Sequence, residues 1–255
     1  MRLTIVGCSG SYAGPASPAS CYLVQEEQDG RTWSLLLDLG SGALGALQRH
    51  LDPRLLDGMV ISHLHPDHCI DLTGMYVFRR YHPLGTPSEP VPVWGPPGTL
   101  ARFVGMYPGI EEHLAHQIYA VGDLDDGLVL TVGPFTVTAR RVRHPVEAYG
   151  FRVEANGRGL AYSGDTDSCA GLLDLLAGAH LALVDSAFVD GRDTTTGIHL
   201  SGSRAAQAAL DAGGVGRLML THIPAWNDPE VCRAQAAAVW PGEVELAVPD
   251  AAYEI

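Results

Sequence analysis

The chain has 255 residues, of which 46% are hydrophobic and 18% charged, and its formal net charge is −13. That balance excludes a disordered chain, and the acidic charge argues against long nucleic acid, whose binding requires a basic surface. No apolar run reaches the length of a membrane span, since Leu181-Ala182-Leu183-Val184 stops at Asp185.

The first residues, Met1 to Gly7, read as a strand entering a turn and not as a signal peptide. Alternating or continuous apolar runs predict strands near residues 2–7, 20–26, 33–38, 58–62, 91–94, 116–121, 127–132, 135–142, 148–154, 159–163, 180–184, 215–221 and 244–248. Helical spacing appears near 43–51, 69–80, 98–106, 168–177, 201–212 and 228–238. Early hairpins followed by strand and helix alternation predict an α/β (α+β) chain with two mixed sheets and helices outside. One domain over residues 1–255 is expected at this length. The five cysteines are odd in number and form no Cys-x-x-Cys pair, as expected of reduced packing thiols in a cytoplasmic protein.

Residues 40–45 are a literal G-x-G-x-x-G between a strand and a helix. A dinucleotide fold would place an acidic residue at the end of the next strand. His63 occupies that end, so the glycines are expected to serve the turn after Asp38. The basic segments Arg140-Arg141-Val142-Arg143 and Arg79-Arg80 are expected on solvated faces.

His63-Leu64-His65-Pro66-Asp67-His68 carries most of the chemical information. Four metal-ligating side chains fall within six positions after a short apolar strand. His63 and His65, two apart on extended backbone, point the same way. Asp67 and His68 follow where Pro66 forces a turn. Imidazole and carboxylate without thiolate suit zinc, manganese or iron. His144, Asp165 and His222 each follow a predicted strand, where α/β folds build their sites.

With these residues the chain resembles the metallo-β-lactamase fold, and within it the branch that includes tRNA 3′-processing endonucleases. The resemblance implies a four-layer αββα sandwich. It also implies two divalent metal ions, with Zn2+ the expected species and Mn2+ the alternative. His63, His65 and His144 would hold the first; Asp67, His68 and His222 the second; Asp165 would bridge both. Asp38 matches that family's aspartate behind the ligands, and Asp185 with His199 matches the endonuclease branch's acid and histidine pair. Further segments lie outside the metal motif: Gly7-Cys8-Ser9-Gly10-Ser11, Gly14 to Ser20, Leu44 to His50, Arg79 to Pro83, and Leu220-Thr221-His222-Ile223-Pro224. They resemble the actinobacterial atypical class II cyclic-nucleotide phosphodiesterases, which implies cyclic AMP as a substrate.

Two metals about 3.5–4 Å apart can hold a bridging hydroxide and polarise a phosphoryl group, so no nucleophilic side chain is needed. Asp67 and the His199–Asp185 pair are the expected catalytic residues, His199 protonating the leaving oxygen while Asp185 orients it. Three classes fit: a phosphodiesterase for cyclic 3′,5′-nucleotides (cAMP, with cGMP as a variant), a tRNA 3′-end endonuclease, and a non-hydrolytic metal protein such as a sulfur dioxygenase. The resemblance to the endonucleases implies a protruding arm between His144 and Asp165, and only 21 positions separate them here (165 − 144). A small cyclic nucleotide is therefore the expected partner, against nucleic acid or membrane, and a homodimer is compatible with the sequence.

Overall fold

In the computed structural model, which describes residues 1–255, two seven-stranded sheets pack face to face. The first sheet comprises β1 (Arg2–Gly7), β2 (Cys21–Gln28), β3 (Arg31–Leu37), β4 (Gly58–Val60), β5 (Val91–Gly95), β6 (Tyr119–Asp123) and the C-terminal β14 (Ala252–Glu254), in the order β14-β1-β2-β3-β4-β5-β6. The second comprises β7 (Val129–Val132), β8 (Phe135–Arg141), β9 (Tyr149–Ala155), β10 (Arg158–Tyr162), β11 (Leu181–Asp185), β12 (Leu218–Thr221) and β13 (Val244–Leu246), in the order β13-β12-β11-β10-β9-β8-β7. Each sheet has an antiparallel half and a parallel half. The parallel runs are β3-β4-β5-β6 and β10-β11-β12-β13.

The period of two along the strands builds the layers. Leu35 and Leu37 of β3 and Leu181 and Leu183 of β11 face inward, into one cluster with Ile5, Phe135, Phe151 and Met219. Their neighbours face outward. Leu36 joins a cluster beneath α3 (Leu72–Tyr81) and α4 (Thr99–Met106). Ala182 and Val184 join another beneath α6 (Ala170–Leu176), α7 (Gly202–Asp211) and α8 (Pro229–Ala237). Buried on both faces, the parallel strands read as unbroken apolar runs. The result is the expected αββα sandwich. No helix is long and apolar enough to cross a membrane.

Every predicted strand forms, with ends shifted by a few residues. The helix expected over 69–80 forms as α3 and begins three residues late, after a separate turn of helix, α2 (Pro66–Cys69). Pro66 takes the first helical position of α2, where its missing N–H costs nothing. Asp71 separates the two helices: its N–H donates to Leu39 O at 3.2 Å and its carboxylate accepts from Leu44 N at 2.9 Å. The short β14, the single-turn helix Glu112–Ala115 and the 3-10 turn Pro53–Leu55 escape the sequence pattern. Arg79 corrects the expectation of a solvated pair. It is buried, and its guanidinium donates to Pro53 O and Glu89 O. All five cysteines are free thiols, three of them buried.

Candidate metal centre

The C-terminal ends of five strands in parallel runs converge at one edge of the sandwich. Asp38 follows β3, His63 follows β4, Asp165 follows β10, Asp185 ends β11 and His222 follows β12. His144 arrives three residues after β8, steadied by a bridge between Arg143 and Asp167. All seven predicted ligands meet there, in two groups. One is His63, His65 and His144; the other is Asp67, His68, Asp165 and His222. In the first group His65 Nδ1 lies 3.0 Å from His63 Nε2 and 3.2 Å from His144 Nε2. In the second, His68 Nε2 lies 3.1 Å from Asp165 Oδ1, and His222 Nε2 lies 3.2 Å from Asp165 Oδ2. Asp165 also approaches His63 Nε2 to 3.6 Å and so stands between the groups.

The outer nitrogens of His63, His68, His144 and His222 are already engaged, which fixes which of their ring atoms face inward. Ile198 O can only accept, so His144 Nδ1 carries the proton of that 2.9 Å bond and Nε2 presents a lone pair. His68 Nδ1 donates to Asp38 Oδ2 at 2.7 Å. Ser62 Oγ donates to Asp38 and can accept from His63 Nδ1 at 3.1 Å. His222 Nδ1 pairs with Ser20 Oγ at 3.0 Å. What remains inside is unsatisfied. His68 Nε2, His222 Nε2 and Asp165 Oδ1 are buried with no hydrogen-bond partner. Orphaned buried polar atoms are costly in a native fold. Here a cation would satisfy them, so the donor set fits a metal.

The electrostatics agree. Burial raises the carboxyls of Asp165 and Asp67, yet the surrounding histidines outweigh it and hold both below the usual carboxylate range. Burial lowers His63, His65 and His144, which favours the neutral imidazole a metal binds. His68 is the exception: burial pulls it down, but Asp165 and Asp38 overcome this and push it well up. The carboxylates demand a positive charge, which a proton on His68 or a metal ion can provide.

Asp38 is fully buried and accepts four bonds, from Ser62 N at 2.6 Å, Ser62 Oγ at 2.8 Å, His68 Nδ1 and Tyr162 Oη at 2.6 Å. Asp38 (φ 61°) and His222 (φ 57°) both occupy the left-handed region, at a cost of about 1–3 kcal/mol each. The glycines after Asp38 serve this same centre. A Cβ on Gly40 would lie 1.9 Å from the Asp67 carbonyl, so only glycine lets the two loops touch. Gly10 plays the same part against the His222 carbonyl, which a Cβ would approach to 2.2 Å.

His199 stands at the mouth, 12% exposed, with Nδ1 2.8 Å from Asp185 Oδ2. It groups with His144 and Asp165. The fully buried Asp185 also accepts from Thr166 N and Ala187 N. Burial lowers His199, but Asp185 prevails and raises it to about 9. Sequence reasoning missed the residues that hold this pair. Asp167 accepts from Gly197 N at 2.5 Å and pairs with Arg204, which donates to His199 O at 3.2 Å. The spacing Asp165-Thr166-Asp167 was the one visible sign. Ser163 is structural: its Oγ donates to Gly164 O and accepts from Asp185 N.

Two face-to-face mixed sheets with a buried His/Asp cluster at their edge define a metallo-hydrolase of the metallo-β-lactamase fold. The β-lactamase superfamily domain matches residues 34–223, and the chain belongs to that family. It is 40% identical over 258 residues to the uncharacterized Mycobacterium tuberculosis protein Rv1339, covering 100% of this chain and 92% of that one. It is 32% identical over 244 residues to Ribonuclease Z of Mycolicibacterium paratuberculosis, covering 83% and 84%. The crystal structure of the metallo-β-lactamase fold protein YhfI from Bacillus subtilis superposes with a TM-score of 0.88 at 26% identity, covering 100% of this chain and 99% of that one.

Proposed function

We propose that the protein is a dinuclear-metal phosphodiesterase that hydrolyses cyclic 3′,5′-nucleotides, cAMP foremost, to 5′-nucleotides. The observation that carries this reading is the His199–Asp185 pair, a proton donor held by a buried carboxylate beside both ligand groups. His63, His65 and His144 would hold one ion and Asp67, His68 and His222 the other, with Asp165 shared. Two bound ions supply Lewis acidity and activate water for an in-line displacement. The chain's own residues supply the rest. As the new P–O bond forms and the bond to the 3′-oxygen breaks, His199 Nε2 gives its proton to the departing oxygen. Asp185 keeps the ring in place and stabilises its charged form. His63, His68, Asp165 and His222 lie buried, whereas His65, His144 and His199 are partly exposed and would face the substrate.

The runner-up is a ribonuclease Z-like endonuclease, favoured by the Ribonuclease Z relative. Two observations favour the small substrate. The segment between His144 and Asp165 is taken up by the β9–β10 hairpin, whose turn is only Asn156-Gly157, so no arm protrudes there. The net charge of −13 opposes docking of a polyanion. The test is a panel of cyclic nucleotides and pre-tRNA with defined zinc or manganese. Conversion of cAMP to 5′-AMP supports the proposal. Release of 3′-AMP, no turnover with either metal, or efficient pre-tRNA cleavage refutes it.

A further inference from the structure

Shortly after Asp185 the chain places an aromatic side chain beside His199. Phe188 is only partly buried, although a phenyl ring gains nothing from contact with water. The backbone around it is pinned at each step. Ala187 N donates to Asp185 Oδ1 at 3.0 Å, and Ala187 O accepts from Asn227 Nδ2 at 2.8 Å. Phe188 N donates to Leu200 O at 3.0 Å, and Val189 N donates to Asp193 Oδ2 at 2.8 Å. A bridge between Phe188 and Ser201 sets the segment after β11 alongside the segment that precedes α7. Phe188 rides on the first of these segments and His199 on the second.

Three rings lie against the His199 imidazole. His144 and His222 each stand 5.4 Å away, centroid to centroid, with planes at 57° and 30°. Phe188 stands 5.2 Å away at 78°, an edge-to-face contact. It is the one of the three that is neither an imidazole nor a candidate ligand. Asp185 holds His199 at a single atom, Nδ1, through the 2.8 Å bond. Torsion about the Cβ–Cγ bond of a histidine is intrinsically broad, so that one bond leaves the ring free to tilt. A misplacement of about 1 Å at a reacting group can cost on the order of 10²-fold in rate.

Given His199 as the proton donor of the proposed reaction, we propose that Phe188 is its positioning residue. The Phe188 ring stands across the imidazole and is tied to the His199 segment by the pairing with Leu200 and Ser201. It thereby sets the tilt at which His199 Nε2 meets the substrate. Asp185 governs the charge of the imidazole, and Phe188 governs its plane.

The test replaces the ring by an aliphatic side chain, Phe188→Leu, with Phe188→Tyr as the variant that keeps a ring, both metal-loaded. Carbon NMR relaxation of the His199 Cε1–H reads ring motion without turnover. Its order parameter should fall in Phe188→Leu and return to the parent's value in Phe188→Tyr. In Phe188→Leu, kcat for cAMP should fall roughly 3- to 10-fold with KM held, the effect of losing one aromatic pair. Hydrolysis of a p-nitrophenyl phosphodiester should fall less. In a His199→Ala background, Phe188→Leu should cost nothing further. Metal content should match the parent throughout. Where Phe188→Leu loses metal or folds poorly, Phe188→Met supplies a second ring-free side chain for the same readings. Unchanged ring motion, a loss confined to KM, a full loss in the His199→Ala background, or Phe188→Tyr behaving as Phe188→Leu each overturns the proposal. If the ring loosens while His199→Ala slows both substrates equally, the hold of Phe188 on His199 stands and the proton-donor reading falls.

Discussion

Asp185→Asn separates the charge of the His199 pair from its shape. The raised value of His199, from the ordinary 6.5 to about 9, corresponds to about 3 kcal/mol favouring the imidazolium. The asparagine keeps an oxygen for His199 Nδ1 but removes the charge, so the imidazole should fall to about 6.5 or below, since burial still opposes protonation. Bound dications lower both values together and leave the difference. A general acid must be protonated, so activity is lost as pH rises through its pKa. On the alkaline side the variant should therefore be less active than the parent, and the gap should narrow as pH falls. The assay is kcat against pH for cAMP, beside a p-nitrophenyl phosphodiester whose leaving group needs little protonation. His199→Ala should slow cAMP hydrolysis by roughly 10²–10⁴-fold with both metals retained. An unmoved alkaline limb in Asp185→Asn, or equal losses for the two substrates, would refute the acid role.

Elemental analysis of the loaded protein should approach two metals per chain, and Asp165→Ala should lower occupancy of both; saturation at one ion in the parent would contradict the shared ligand. Asp38→Asn should weaken the metal held by His68 about 10- to 100-fold in a chelator titration while sparing His65 and His144; an unchanged affinity would show that Asp38 does not orient His68. In the metal-free protein the raised His199 contributes stability that is full below about pH 6.5 and lost as pH rises through about 9. Denaturant midpoints should therefore fall across that window by an amount equivalent to about 1–3 kcal/mol. His199→Gln should flatten the fall, and an equal fall in that variant would assign it to another group.

The candidate ligand cluster was legible because metal chemistry accepts few side chains and the backbone repeats one solution, a metal-competent residue at the end of a strand. His63, Asp165 and His222 each close an apolar run, and that conjunction is visible without coordinates. The sheets were legible too, since strands buried on both faces cannot hide among polar residues. What escaped rests on tertiary contact. Ser20, Ser62 and Tyr162 carry no local sign of their hydrogen bonds to His222, His63 and Asp38. Arg79 looked like a surface cation because the carbonyls it binds are distant in sequence. The glycines near Asp38 carry the signature of a turn, whereas Gly40 also answers to Asp67, which only the packed loops reveal.

The division between floor and mouth bears on how one scaffold serves different substrates. His63, His68, Asp165 and His222 are buried, and the three histidines are held by Ser62, Asp38 and Ser20, so their geometry belongs to the two sheets. A change there alters metal binding for any substrate. Selectivity must instead come from groups a ligand can touch: the partly exposed His65, His144 and His199, and the loops beside them. Those loops are independent of the sheet core in sequence, and the loop after β12 carries both a ligand, His222, and an exposed ring, Trp226. Trp226 packs on Tyr12 at a centroid distance of 5.2 Å, whereas Gly10 is pressed against the His222 carbonyl. Comparing Trp226→Ala with Gly10→Val by metal content separates the two: the first should keep full occupancy, and the second should lose the ion held by His222.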